Sequence, residues 1–217
     1  VAQVLWDDLD FEREFRMIPR DVYSTIPPAR SLIDLPFDRW QELGTDGVIS
    51  CTVAAVGDGQ IEVTARLFSV RSLASAFGVV YTGSSRNVRV YAHQLADEIH
   101  RHQRGLDGVA RTRLAFVSDR DSESVLGLVE NRPVKEIYLA DYDWANARRV
   151  TVSRVLNTNP AWSPDGRSIG YTSWLTGFPD VAVSHLFEGH LTNPAGGTSR
   201  QQNFLPAFSP DGRQIAF

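Results

Sequence analysis

The sequence predicts a two-layer α/β domain over residues 1–108 and, after it, about two opening blades of a β-propeller over residues 109–217. Three observations carry this. Helical and strand periodicities interleave up to Gly108. Beyond Gly108 helical spacing disappears, and short apolar runs alternate with clusters of Gly, Pro, Asn and Asp. Within that second region a 13-residue segment recurs 46 residues further on. The 217 residues are enough for two small hydrophobic cores.

In the first region Val1, Val4, Leu5 and Leu9 make one apolar stripe, which predicts a helix over residues 1–10. Residues 11–19 alternate, with Phe11, Arg13, Phe15 and Met17 on one side, and read as an extended strand. Residues 21–36 contain Pro27, Pro28 and Pro36 and read mostly as loop. Phe37 to Leu43 reads as a short helix that Gly44 ends. Val48–Val56 and Gln60–Val70 are strands joined by Gly57-Asp58-Gly59, residues that tolerate the positive φ of a tight hairpin. Ile61, Val63, Ala65 and Leu67 share one face of the return strand. Ser75 to Tyr81 is a third strand, and Gly83-Ser84-Ser85 reads as a turn. Asn87 to Arg104 is a second long helix, with Val90, Tyr91, Leu95 and Ile99 facing inward and its charges outward.

In the second region Arg113–Ser118 and Glu136–Asp143 read as strands, with an enlarged surface loop between Asp119 and Pro133. The repeat comes next. Residues 159–171 and 205–217 align so that Pro160 matches Pro206 and Trp162 matches Phe208. The tetrapeptides Ser163-Pro164-Asp165-Gly166 and Ser209-Pro210-Asp211-Gly212 coincide. Each position has a physical role. Pro presets φ for a turn, Asp accepts from the backbone ahead of it, and Gly takes the positive φ that closes the hairpin. The aromatic before the turn offers a large flat surface to bury between neighbouring sheets. Ile169 with Tyr171, and Ile215 with Phe217, alternate as strands with one buried face. A period of 40–50 residues with strand content is the signature of a WD40-like propeller, one four-stranded blade per repeat. A propeller closes with at least four blades, so the sequence is expected to belong to a longer protein. Its opening in mid-helix and its stop inside an apolar strand pattern agree with that expectation.

Composition narrows the function. A net charge of -4 with no basic tract argues against nucleic-acid binding. No apolar run approaches the roughly 20 residues of a membrane-spanning helix, and no signal peptide is visible. Cys51 lies in an apolar run and reads as a small buried hydrophobe rather than a reactive thiol. His93, Asp97, His100 and His102 read as a solvated helix face rather than a metal site. The acidic pairs Asp119/Asp121 and Asp141/Asp143 lack the ligand density of a calcium loop. Asp143 reads as a turn residue. No Gly-x-Ser-x-Gly elbow, His-Glu-x-x-His motif or phosphate-cradling Gly loop occurs. No cofactor is expected, and nothing in the sequence supports a channel cation such as calcium.

Several segments resemble the TolB family. Arg111-Thr112-Arg113-Leu114-Ala115-Phe116 resembles that family's passage from N-terminal domain into propeller. Ala140-Asp141-Tyr142-Asp143 with Asn146 resembles its first-blade hairpin, and Tyr91-Ala92-His93 with Asp97-Glu98-Ile99 its last N-terminal helix. The two Pro-Ala-aromatic-Ser-Pro-Asp-Gly units resemble its propeller repeat. Trp144 departs from the family, which commonly has Gly after Asp-Tyr-Asp. The family's first N-terminal strand and the extreme N-terminal segment that contacts TolA have no counterpart here. The resemblance implies a TolB-type propeller in a periplasmic, non-catalytic scaffold. Such a scaffold binds the Pal lipoprotein and, with TolA, TolQ and TolR, supports outer-membrane integrity and cell division. It also implies that two segments leading into the repeats face Pal: Leu156-Asn157-Thr158-Asn159 and Gln201-Gln202-Asn203-Phe204-Leu205. Asn157, Thr158, Asn159, Gln202, Asn203 and Leu205 are the expected contacts. Two other readings remain: the gating propeller of a prolyl-oligopeptidase-type serine peptidase, and a generic propeller sensor. The first needs a hydrolase elbow beyond Phe217, and no residue argues for the second.

Overall fold

In the computed structural model, which describes residues 1–27, 29, 34–125, 132–196 and 202–217, the chain separates into two compact units at Arg111/Thr112. Pro28, residues 126–131 of the expected long loop, and Gln201 lie outside the described residues.

The first unit opens with helix α1 (Ala2–Phe11), which buries Leu5 and Leu9. The strand expected over residues 11–19 does not form. Phe11 completes the helix, and Arg13 turns the chain away with φ 56. The Glu12 and Glu14 side chains then hold the segment, accepting from the Val109 N–H (2.9 Å) and the Arg104 guanidinium (2.7 Å). Within the expected loop, residues Arg20–Tyr23 form a single helical turn, α2. Helix α3 (Phe37–Glu42) is followed by Gly44 at φ 67, as its sequence demands. Phe37 and Trp40 pack on Leu35, Val48, Phe68 and Val70.

Strands β1 (Gly47–Gly57), β2 (Gln60–Ser69) and β3 (Ala74–Ser84) form an antiparallel sheet in that order. Asp58 and its two flanking glycines all take positive φ in the first hairpin. The predicted face of β2 is the buried one. Cys51 lies half-buried against the Ile61, Val63 and Tyr91 cluster, and burial raises its thiol pKa. Gly83 and Ser84 finish β3 instead of forming a free turn. The Ser84 hydroxyl accepts from the Arg86 N–H and caps a short 3₁₀ turn, Ser85–Asn87. A Cβ on Gly83 would collide with the Tyr91 hydroxyl, so glycine is what lets Tyr91 lie on the sheet, stacked with Tyr81.

Helix α4 (Val88–Arg104) buries Tyr91, Leu95 and Ile99 with Ala92 and Ala96. Val90, expected inward, is exposed, because one helical step of about 100° carries it off the Tyr91 face. The expected solvated histidine face is also corrected. His93, Asp97 and His100 are buried, and only His102 is exposed. The reason is that α4 is covered twice, by the sheet and by α1. Asp8 pairs with His93 (2.8 Å), and Glu12 faces His100 at 3.4 Å. Asp97 accepts from the Ala110 N–H (2.9 Å) and pairs with Arg111 (2.6 Å).

Among its described residues, the regular elements of the second unit are all strands. Strands β4 (Arg113–Ser118), β7 (Glu136–Asp141) and β8 (Arg148–Arg149) form one sheet, with a two-residue ladder, β5 (Ser124–Val125) and β6 (Arg132–Pro133), in the long connection. Strands β9 (Asn157–Trp162), β10 (Ser168–Ser173), β11 (Asp180–His185) and β12 (His190–Thr192) form a complete four-stranded blade. Strands β13 (Ala207–Phe208) and β14 (Ile215–Ala216) begin a further one. Among the described residues the sheets do not close into a ring. The single buried face predicted for β10 is corrected: all six of its residues are buried, because sheets lie against both sides. On one side Ile169 and Tyr171 join Ile137 and Leu139 of the first sheet, with Trp162 against them. On the other, Gly170 faces Phe208, Ile215 and Pro206. No helix among the described residues is long and apolar enough to cross a membrane.

Candidate functional site

The repeat builds both ends of the blades, and its two copies have the same geometry at the tight hairpins. Ser163 N–H donates to the Ser168 carbonyl and Ser209 N–H to the Gln214 carbonyl, each at 2.9 Å. Gly166 and Gly212 N–H groups donate to the Ser163 and Ser209 carbonyls, also at 2.9 Å, with φ of 67 and 69. The serine hydroxyls donate to Asp165 and Asp211 at 2.6 Å, and each Asp accepts from the N–H two residues on. The serine hydroxyl followed by that backbone N–H holds both carboxyls below the usual carboxylate range. Pro164 and Pro210 stand at the first corner of these turns and are exposed. Trp162 and Phe208 are both half-buried, each against the sheet before its own. Pro160 is half-buried and Pro206 buried.

The other end holds the expected partner-facing residues, and it sorts them. Asn157, Thr158 and Asn159 lie within β9, not in a loop. Asn157 is 0% exposed, so it is not a surface contact. Its amide donates to Glu136 Oε2 and Ser153 Oγ, both at 2.8 Å, and to the Lys135 carbonyl at 3.2 Å. Thr158 is half-buried and Asn159 exposed, the latter with φ 55. Gln202 and Leu205 are exposed, and Leu205 repeats the left-handed φ of 55 at the matching place. Asn203 is half-buried and its amide donates to Asp180 Oδ1 at 2.9 Å.

Asn157 and Asn203 are therefore one feature made twice. Asn157 opens β9 and Asn203 stands just ahead of β13, and each grips a buried carboxylate at the start of a strand in the preceding sheet, Glu136 in β7 or Asp180 in β11. Asp180 also accepts from Asn193 (2.9 Å) and from the Val181 N–H (2.9 Å). Burial works to raise its carboxyl, but these donors outweigh it and hold the group low. Glu136 accepts from Thr151, from Arg149 (2.8 Å) and from the Arg154 N–H (2.7 Å) besides Asn157. The sequence reading missed these carboxylates. The signal was present: the 46-residue offset that pairs the prolines also pairs Asn157 with Asn203.

It also missed the β10–β11 connection. Trp174 meets Phe204 edge to face at 6.0 Å. Leu175 and Phe178 project beside it, 54% and 51% exposed. The Asn203 N–H donates to the Pro179 carbonyl (3.1 Å) and the Leu205 N–H to Thr172 Oγ1 (3.1 Å). The segment 202–205 is thus fixed along that connection.

An α/β unit followed by successive repeat-built sheets, one of them a complete four-stranded blade, defines a protein of the WD40-like propeller class. Family comparison makes this specific. The model of the TolB beta propeller domain matches residues 102–217, and that of the TolB amino-terminal domain matches residues 1–75. The chain belongs to the TolB family. The Tol-Pal system protein TolB of Desulfosudis oleivorans is 31% identical over 193 residues, covering 88% of this chain and 41% of that protein. Its counterpart in Jannaschia sp. is 34% identical over 185 residues, covering 84% of this chain and 40% of that protein. The crystal structure of TolB from Acinetobacter baumannii shares the fold at TM-score 0.78, with 23% identity, over 99% of this chain and 50% of that one. This chain thus spans about two fifths of the length of these relatives.

Proposed function

We propose that this chain is the N-terminal and early propeller portion of a periplasmic, non-catalytic Tol-Pal scaffold that binds the Pal lipoprotein. In this reading Thr158, Asn159, Gln202, Asn203 and Leu205 belong to the Pal-facing rim, and Asn157 supports it from within. A TolA contact would be made by a segment outside this sequence. The observation that carries the reading is the joint match of both TolB domains in one chain. A propeller repeat alone would also suit a peptidase gate, whereas the amino-terminal match has no place there. Preorganisation favours binding, and hydrogen bonds within the chain already hold Asn203 and Leu205.

The test is calorimetric titration of the complete protein with the soluble domain of Pal. Binding at micromolar affinity or tighter is expected. Replacing Gln202 and Leu205 together is expected to weaken it without moving the melting temperature. Absence of binding by the unaltered protein would remove the Pal assignment.

A further inference from the structure

The complete blade brings two histidines face to face at the hairpin that carries its outermost strand. Strands β11 and β12 are joined by a turn over residues 186–189, where Gly189 takes φ 69 and its N–H donates to the His185 carbonyl (2.9 Å). The register sets His185 directly opposite His190. Residues opposite each other in a strand pair project to the same side of the sheet. The two rings accordingly stack, with centroids 4.2 Å apart and planes at 21°. His185 is half-buried and His190 exposed. Ser168 Oγ of β10 lies 2.9 Å from His185 Nδ1, and Thr192 Oγ1 of β12 lies 3.1 Å from its Nε2.

These surroundings suit one proton better than two. A hydroxyl can donate or accept, so His185 keeps both bonds whether its ring is neutral or charged. The Glu188 carboxylate in the turn attracts a charged His185. Bonding by Arg167, then a backbone N–H and the His185 ring hold that carboxyl below its usual range. Arg167 itself pairs with Glu188 (2.8 Å) and lies over the Phe187 ring at 5.0 Å, so a fixed cation already stands beside the turn. Strands β13 and β14, the sheet facing β10, contribute no titratable side chain. A second proton would set like charges directly opposite each other on adjacent strands, which weakens the pairing. Strand β12 is ill-placed to resist this, being three exposed residues with β11 as its one neighbour in the sheet. Beyond it the Asn193 amide donates to Asp180 (2.9 Å), whose carboxyl is held low although burial works to raise it. That far hold therefore keeps its charge where imidazoles titrate.

We propose that His185 and His190 form an acid-sensitive latch on β12, closed while at most one ring is protonated and opened by repulsion once both are. The free strand takes up two protons and the latched strand one, so acid favours the free strand. The hold is present above the ordinary imidazole range, about pH 6.5, and is lost as pH falls below it. Release bares the edge of β11, while β9, β10 and β11 stay paired.

The experiment is hydrogen exchange of the complete protein from about pH 8 to about pH 5, with rates corrected for intrinsic exchange. Protection of residues 190–192 is expected to fall by about fivefold or more, with that of β9 and β10 unchanged. His190→Phe keeps a stacked ring without a charge, and spares the core because His190 is exposed. It is expected to abolish the fall. Protection of β12 that stays constant over this range, or that falls equally in His190→Phe, overturns the inference. An equal fall in β9 and β10 overturns it too, since acid would then loosen the blade as a whole.

Discussion

At the scale of single residues, the repeat turns two aromatic side chains into a controlled comparison. Trp162 and Phe208 do the same work in successive sheets, but only Trp162 carries an indole N–H. That N–H is buried and has no hydrogen-bond partner among the described residues. An unpaired buried donor costs about 1–3 kcal/mol. Trp162→Phe therefore exchanges lost contact area for the removal of that penalty, and is expected to stay within about 1 kcal/mol of the parent. Trp162→Ala removes the whole face against Ile137 and Ile169, and is expected to cost about 2 kcal/mol or more, given half-burial. Urea midpoints at constant m-value separate the two outcomes. Gly108 makes a second residue-scale case. A Cβ there would collide with the Asp97 carboxylate and come within 2.8 Å of Glu12 Oε1. These carboxylates hold the N–H groups of Ala110 and Val109, so Gly108→Ala is expected to free both amides. Faster hydrogen exchange at residues 109 and 110, with α4 still protected, is the expected pattern. Uniformly unchanged exchange would show that the contact is dispensable.

At the scale of elements, buried charge explains most of what the sequence did not reveal. Strands β1, β2 and β10 and helix α4 were legible from their hydrophobic patterning, although β10 buries both faces and not one. The inward turning of His93, Asp97 and His100 was not legible, since it depends on α1 folding back across α4 from some 85 residues away. The place of Asn157 was hidden likewise by Glu136, which lies 21 residues upstream and on another sheet. The first sheet adds a testable case. Arg149 bridges Glu123 (3.0 Å), Asp121 (2.8 Å) and Glu136 (2.8 Å), and these bonds raise its already high pKa. The Tyr138 hydroxyl, whose own pKa burial and Asp121 push up to about 12, lowers that of Asp121, with Arg149 adding to the effect. Arg149 is the largest cause that lowers Glu123. A carboxyl whose folded pKa is depressed contributes stability that is present above its unfolded value, near 4, and lost as pH falls through the folded value. Glu123→Gln is thus expected to be less stable than the parent at pH 7, with the gap closing below about pH 4. A gap constant from pH 7 to pH 3 in chemical denaturation would assign the loss to packing instead. Glu136 differs because it is buried. Glu136→Ala strands the donors Asn157, Thr151 and Arg149 together, and a loss of about 3 kcal/mol or more is expected.

At the scale of the propeller unit, the contacts that matter run between neighbouring sheets, and this sets how damage should spread. The 46-residue period foretold the stacking, because a sheet with aromatics on one face and small residues on the other has to lie against a copy of itself. It did not foretell which small residue meets which aromatic. That is Gly170, whose Cβ position lies 3.2 Å from Phe208 Cε2, 3.3 Å from Ile215 Cδ1 and 3.4 Å from Pro206 Cβ. Gly170→Ala asks these neighbours to give by a few tenths of an ångström. Gly170→Val adds two methyl groups where there is no room, an overpacking that costs about 1–3 kcal/mol. Because β10 already pairs on both edges with β9 and β11, the strand itself cannot move, and the third sheet must. The expected result is local. Exchange protection should fall in the Ser209–Gln214 hairpin, while the paired strands β4 and β7 keep theirs. Equal loss throughout residues 112–217 would instead mean that the sheets rise and fall as one cooperative body. The lever at Gly170 would then act on the stability of the whole unit and not on the seating of one blade against the next.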